Sequence, residues 1–166
     1  MTAELRRTAS QKDIAQFFRL SLRIGIVDTA AAERWVDSTV EKEPTVVFPF
    51  TELAGASHLP VSRVDELLGQ VSGSSDPNLP GRLAVALLRR RVLEGSLALE
   101  SAIKHVVEIS FSGPLTDEER SRADWLQEHL WLAMHEGYGS PKRVRLEIQE
   151  FLENYAEFDK QIPETV

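Results

Sequence analysis

The chain has 166 residues, a formal net charge of −7 at pH 7 and no cysteine. This length suits one domain, which we expect to span 1–166 with flexible tails at 1–9 and 159–166. The lack of cysteine excludes disulfides and thiolate chemistry, and the negative charge disfavours nucleic acid, whose binding draws on Lys and Arg. No apolar run approaches the roughly 18 residues of a membrane span. We therefore expect a cytoplasmic protein.

Two helices are predicted in the first part of the chain. Ser10 and Asp13 have the spacing of a capping box, in which each side chain accepts the other residue's backbone N–H. They predict a first helix that ends near Gly25. A second helix is predicted over 30–42, because Pro44 cannot continue it.

The next segments combine turns with short helices. The run 45–50 is apolar enough for a strand, but its internal proline favours an extended linker. A short helix is expected over 50–57. Ser62 and Asp65 then repeat the capping-box spacing and predict the start of another helix. The Gly-, Ser- and Pro-rich stretch 73–80 is predicted to be a loop.

The second half of the chain predicts three longer helices and a fourth that closes the domain. The segment 81–94 is apolar nearly all round, which indicates a central buried helix, and Gly95 turns the chain into the next one. Thr116 and Glu119 form a third capping-box spacing, at the start of a long helix that ends near Gly137. Its predicted inward side chains are Ala123, Leu126, Leu130, Ala133 and Met134.

The last helix is predicted to begin at Ser140, an N-cap residue that is followed by a proline at the first helical position. Its apolar stripe comprises Val144, Ile148, Phe151, Leu152 and Tyr155. Short turns between helices place neighbours antiparallel. The sequence therefore predicts an all-α fold, an irregular bundle or stack of about eight helices in antiparallel helical hairpins.

Enzyme and metal signatures are weak in this sequence. The four histidines, at positions 58, 105, 129 and 135, lack the spacing of a zinc site, and no nucleophile elbow or phosphate loop occurs. We therefore expect a non-enzymatic protein without a metal or cofactor. One alternative stays open: Arg122 and His129 are seven positions apart on one helix face, a spacing that resembles the active-site motif of HEPN ribonucleases.

A second alternative is a helix-turn-helix regulator that binds DNA. The segment 52–64 has the length and apolar spacing of such a unit, and the helix that follows would enter the groove. That helix offers Arg63 alone against Asp65 and Glu66. Two carboxylates near its start would be repelled by phosphate, so an ordinary helical hairpin is the favoured interpretation.

The outer side of the last helix predicts a surface that binds another protein. A row of carboxylates, which we call the acidic ridge, lies opposite the apolar stripe and comprises Glu147, Glu150, Glu153 and Glu157. Such a row is repulsive unless something positive lies against it, which indicates a basic partner. Trp131 and Tyr138, near the preceding turn, are candidate aromatic anchors for that partner.

Two stretches resemble small, acidic, all-helical immunity proteins of bacterial toxin systems. One is Gly25-Ile-Val-Asp-Thr-Ala-Ala-Ala-Glu-Arg-Trp-Val-Asp37, a turn into a helix that carries a tryptophan. The other is Trp131-Leu-Ala-Met-His-Glu-Gly-Tyr-Gly139 with Phe151-Leu-Glu-Asn-Tyr155, which is similar to the closing hairpin of several such families. The resemblance implies a protein that binds and blocks one cognate toxin without chemistry of its own. It assigns no binding residues.

Overall fold

The structure, a computed structural model, describes residues 8–43, 45 and 47–166. Within these residues it contains eight α-helices and two 3₁₀ helices, at Ala56–His58 and Ala156–Gln161, and no strand. The α-helices are α1 (Gln11–Arg23), α2 (Thr29–Val40), α3 (Phe50–Leu53), α4 (Val61–Gly69), α5 (Leu79–Leu93), α6 (Leu99–Phe111), α7 (Asp117–His135) and α8 (Pro141–Glu153). The predicted all-α fold of about eight helices is confirmed.

α5 is the central helix of the bundle. Every residue from Leu79 to Leu88 is buried except Arg82, as its apolar sequence predicts. The helix packs against α1, α6, α8 and the second 3₁₀ helix. At Gly81 the backbone comes so close to the loop before α7 that an added Cβ would collide with the carbonyl group of Pro114. Glycine at this position therefore allows the two segments to pack directly.

α1 begins with the predicted capping box, and the acidic residue of this box also binds a loop that is distant in the chain. The Asp13 side chain accepts hydrogen bonds from the backbone N–H of Ser10 at 2.8 Å and from its hydroxyl at 2.7 Å. It also accepts from the Ser75 hydroxyl and from the backbone N–H of Asp76, both at 2.8 Å. This fully buried carboxylate thus starts α1 and holds the loop before α5.

The three remaining helix starts are confirmed to within one residue, and two of their caps form: Thr116 and Glu119 make the capping box of α7, and Ser140 caps α8. The capping box predicted from Ser62 and Asp65 does not form. α4 begins at Val61, directly after Pro60, and has no side-chain cap. Asp65, the expected partner of Ser62, instead binds Arg19 and Arg23 of α1 and so connects α4 to α1.

The end of the chain packs against the helices, which corrects the flexible tail expected at 159–166. Ile162 is only 4% exposed. Asp159 forms an ion pair with Arg90 of α5 at 3.0 Å, and the Thr165 carbonyl accepts from the Arg34 guanidinium at 3.0 Å. Of the tail expected at 1–9, residues 1–7 lie outside the described residues.

Candidate functional site

α7 and α8 form the antiparallel hairpin that carries most of the predicted site residues. Arg122, in the second turn of α7, meets Glu147 near the middle of α8, with a nitrogen-to-oxygen distance of 3.5 Å. From this point α7 runs toward the turn at 136–140, and α8 runs away from that turn. The two ends of the hairpin therefore present different sets of side chains.

The acidic ridge is partly neutralised by arginines. Glu147 lies between Arg122 and Arg143, and its side chain is only 22% exposed. Glu153 accepts two hydrogen bonds from the guanidinium of Arg89, at 2.9 and 2.8 Å. The bonds from Arg89 lower the pKa of Glu153, as expected for a carboxylate held by a cation. Two of the four predicted partner-binding carboxylates are thus bound within the fold.

The ridge is also shorter than predicted, because α8 ends at Glu153. Glu150 is exposed on α8, whereas Glu157 is exposed on the second 3₁₀ helix and does not continue the α-helical row. The structure therefore divides the predicted ridge between two elements.

Trp131 and Tyr138 are both exposed, at 51% and 78%, as partner-binding anchors would be. Met134 beside them is 48% exposed, so its predicted place among the inward side chains of α7 is wrong. Trp131 lies nine residues beyond Arg122, about 14 Å along the helix axis at 1.5 Å per residue. Trp131 thus lies toward the turn at 136–140 from the Arg122–Glu147 pair, whereas Glu150 lies on the side away from that turn.

Trp125, which the sequence analysis did not select, is the aromatic residue next to the ridge. Its indole lies 4.5 Å from the Arg122 guanidinium carbon, and its ring centre lies 3.8 Å from that of His129. The side chain is 38% exposed. The signal was present in the sequence, since Trp125 follows Arg122 by three positions and precedes His129 by four, a spacing that puts all three on one side of a helix.

A second tryptophan–histidine pair repeats this arrangement six residues, or about 1.7 turns, later. Trp131 stacks on His135 with ring centres 5.2 Å apart, and the Nδ1 atom of His135 lies 3.0 Å from the Trp131 carbonyl oxygen. Glu128 is exposed between the two pairs. We call this surface the outer face of α7, and define it by Ser121, Trp125, Glu128, Trp131 and His135.

The two residues of the ribonuclease alternative are both in contact with Trp125. Arg122 packs on the indole and pairs with Glu147, while the Nδ1 atom of His129 lies 2.9 Å from the Trp125 carbonyl oxygen. Both side chains are on the surface of the hairpin. A catalytic role for this pair stays a prediction.

The helix-turn-helix alternative rests on Arg63, whose guanidinium is bound by two carboxylates of its own segment. Glu52 accepts from Arg63 at 2.7 Å, and Glu66 accepts at 2.9 Å. Phosphate would have to displace both. α3, the α-helix that precedes α4 in this segment, has only four residues. DNA binding by this segment also stays a prediction.

The described part of the chain contains no group of three or more His, Asp or Glu side chains that is arranged to hold a metal ion. Among the same residues, no helix is long and apolar enough to cross a membrane.

Comparison with known proteins yields no relative for this chain. No protein-family model matches it, and no curated protein and no solved structure shows significant similarity to it.

Proposed function

We propose that this chain is a protein-binding inhibitor of the immunity type, which docks on a basic partner protein through the outer face of α7. The observation that carries the proposal is the position of the tryptophans. Of the three in the chain, Trp35 is buried in the core, whereas Trp125 and Trp131 are both exposed on α7, six positions apart and therefore about 120° apart around the helix axis. Exposed tryptophans on a rigid helix are the residue type on which binding energy concentrates.

The helix holds both indoles ready for a partner. α7 is fixed by its capping box at one end and by packing against α6 and α8 along its length. Each indole stacks on a histidine four residues later, which restricts its rotamer before any partner arrives. Because little side-chain entropy is left to lose, burying these rings in an interface is more favourable than burying mobile ones.

Charge indicates which kind of protein would dock. Glu128 lies between the two tryptophans, and Asp117 and Glu118 are exposed at the start of the same helix. The net charge of −7 adds a long-range attraction for a positively charged surface. A basic toxin domain, such as a nuclease with a positive substrate site, has the complementary charge.

The first experiment is affinity capture from the native host with the tagged wild-type chain and with a Trp125→Ala, Trp131→Ala double variant. We expect one stoichiometric basic protein on the wild type and its loss on the double variant. Leu93→Ala is the matched control, because Leu93 is an exposed apolar residue at the end of α5. Capture that is the same with all three chains, or recovery of nucleic acid only, would refute the proposed surface.

The captured protein is then tested for toxicity. If it arrests growth when expressed alone, and co-expression of the wild-type chain but not of the double variant restores growth, the inhibitor role is supported. A partner that causes no arrest would contradict the immunity role while leaving the docking surface in place.

Association and dissociation rates distinguish long-range electrostatic attraction of the partner from direct contact with it. Glu128→Lys should slow association with the captured partner and flatten its dependence on salt, whereas the tryptophan variants should mainly speed dissociation. Glu94→Lys, at an exposed position after α5, is the charge control. If Glu150→Lys and Glu157→Lys slow association more than Glu128→Lys does, the acidic ridge is the docking surface instead.

A further inference from the structure

A cleft of about 390 Å³ lies between α1, the loop before α5 and the loop before α7. Three cationic side chains of α1 line it, those of Lys12, Arg19 and Arg23. Their spacing of seven and four residues puts them on one stripe of the helix. Such a concentration of cations needs an explanation in a chain with a net charge of −7.

Three carboxylates near the cleft balance this charge formally, and each is hydrogen-bonded within the fold; Asp13 is fully buried and accepts from Ser75 and Asp76. Asp65 binds both guanidinium groups, accepting from Arg19 at 3.2 and 3.3 Å and from Arg23 at 3.0 and 2.8 Å. Asp76, on the cleft wall, directs one oxygen to the backbone N–H groups of Asn78 and Leu79 at the start of α5. That oxygen is therefore used to begin a helix.

Lys12 forms no ion pair with the described residues. Its ammonium donates one hydrogen bond, to the Gly69 carbonyl at 2.7 Å, and an ammonium has three donors. Burial and the nearby Arg19 lower the pKa of Lys12. An anion in the cleft would relieve that repulsion.

The guanidinium groups are held in place with donors to spare. Asp65 takes the Nε and Nη2 atoms of Arg23 and leaves its Nη1 edge without a partner among the described residues. Arg19 lies over Gly69, where an added Cβ would come within 3.2 Å of the guanidinium carbon. The cations are thus positioned by the fold before any ligand arrives, which favours binding.

We propose that this cleft binds a small molecule with an oxyanion group, phosphate or carboxylate, held by Lys12 and Arg23 and oriented by Arg19. Guanidinium and ammonium groups are the side chains that recognise such oxygens, through short charge-assisted hydrogen bonds. Of the two serines on the cleft wall, Ser75 donates its hydroxyl to Asp13, which leaves Ser112 as the neutral hydroxyl that faces a polar ligand. This site lies on α1 and does not depend on the proposed function of α7.

The test is a titration of the full chain with inorganic phosphate and, separately, with succinate, at an ionic strength kept constant with sodium chloride. Binding is followed by the NMR signals of backbone amides and of Lys and Arg side chains. We expect saturable shifts at Lys12, Arg23 and Ser75. Saturation by phosphate alone assigns the phosphate class, and saturation by succinate alone assigns the carboxylate class.

Variants decide whether the cleft is the site. Lys12→Met and Arg23→Gln should each weaken binding about tenfold or more, as expected when a charge-assisted hydrogen bond is lost. Lys142→Met, the same change at an exposed position on α8, should leave binding unchanged. Arg23 is on the surface, so its variant decides the outcome if Lys12→Met fails to fold. Absence of saturable shifts with both anions, or equal binding by all variants, would overturn the proposal.

Discussion

The Asp13 side chain connects two segments of the fold, since it accepts hydrogen bonds both at the start of α1 and from the loop before α5. Burial raises the pKa of this carboxyl, but hydrogen bonds from Ser10, Ser75 and Asp76 outweigh that effect and hold the pKa below its usual range. The ionised form is therefore the one that the folded state favours. Its stabilisation is present above the pKa of the unfolded chain, about 3.9, and is lost as the pH falls through the lower pKa of the fold.

We expect Asp13→Asn to lower the free energy of unfolding by about 2 kcal/mol at neutral pH, since a buried amide cannot accept all of these hydrogen bonds. Urea unfolding of the two proteins at neutral pH and at a series of acidic pH values measures this difference. It should shrink toward the acid end, where the wild-type carboxylate also becomes protonated. A difference that does not vary with pH would show that the charge of Asp13 contributes nothing.

Among the elements, helix starts show where sequence patterns are reliable. Ser10 with Asp13 and Thr116 with Glu119 form capping boxes in the structure, and Ser62 with Asp65 does not, although the spacing is the same. The difference is tertiary. Asp65 lies where α4 crosses α1, and two arginines compete for its carboxylate. A local pattern cannot reveal a partner that is more than forty residues away in the chain.

This contrast predicts different responses to the same kind of change. Thr116→Ala should destabilise the protein by about 1 kcal/mol, because α7 loses its cap. Ser62→Ala should stay within about 0.5 kcal/mol of the wild type, because its hydroxyl caps nothing. Thermal unfolding of both variants by circular dichroism gives the comparison, and a loss at Ser62 as large as that at Thr116 would contradict it.

The outer side of the hairpin was harder to predict than its core. The apolar stripe of α8 was predicted from helical periodicity, and its five residues are all buried. Exposed positions lack such a signal, because any side chain is tolerated there. Glu147 and Glu153 look alike in the sequence to Glu150, and only the arginines on neighbouring helices distinguish them. For Trp125, the spacing from Arg122 and His129 showed that the three share one side of a helix, but not whether that side faces the core or the solvent.

At the scale of the whole molecule, the last residues close the bundle. The second 3₁₀ helix packs on α5, and Ile162 enters the core behind it. The polar composition predicted a flexible tail. In the structure, Asp159 forms an ion pair with Arg90, and the Thr165 carbonyl accepts a hydrogen bond from Arg34. Ile162, together with the partly buried Val166, therefore anchors a segment whose polar composition predicted no packing.

We expect Ile162→Ala to cost about 2 kcal/mol, as for other buried aliphatic side chains that are truncated. Val61→Ala is the control, because Val61 is an aliphatic residue that is exposed on α4. Chemical denaturation measures both. If the two variants are equally stable, the end of the chain does not contribute to the cooperative core.

The separation of the tryptophans gives this molecule two natural fluorophore populations. Indole emission shifts to shorter wavelength when water is excluded, and a dissolved quencher such as iodide reaches only rings at the surface. Trp35 is surrounded by Phe18 and Phe50, whereas Trp125 and Trp131 are in contact with solvent. A partner that covers α7 should therefore protect the quenchable fraction and move the emission to the blue, and unfolding should move it to the red. Binding and loss of structure thus have opposite optical signatures in the unlabelled protein.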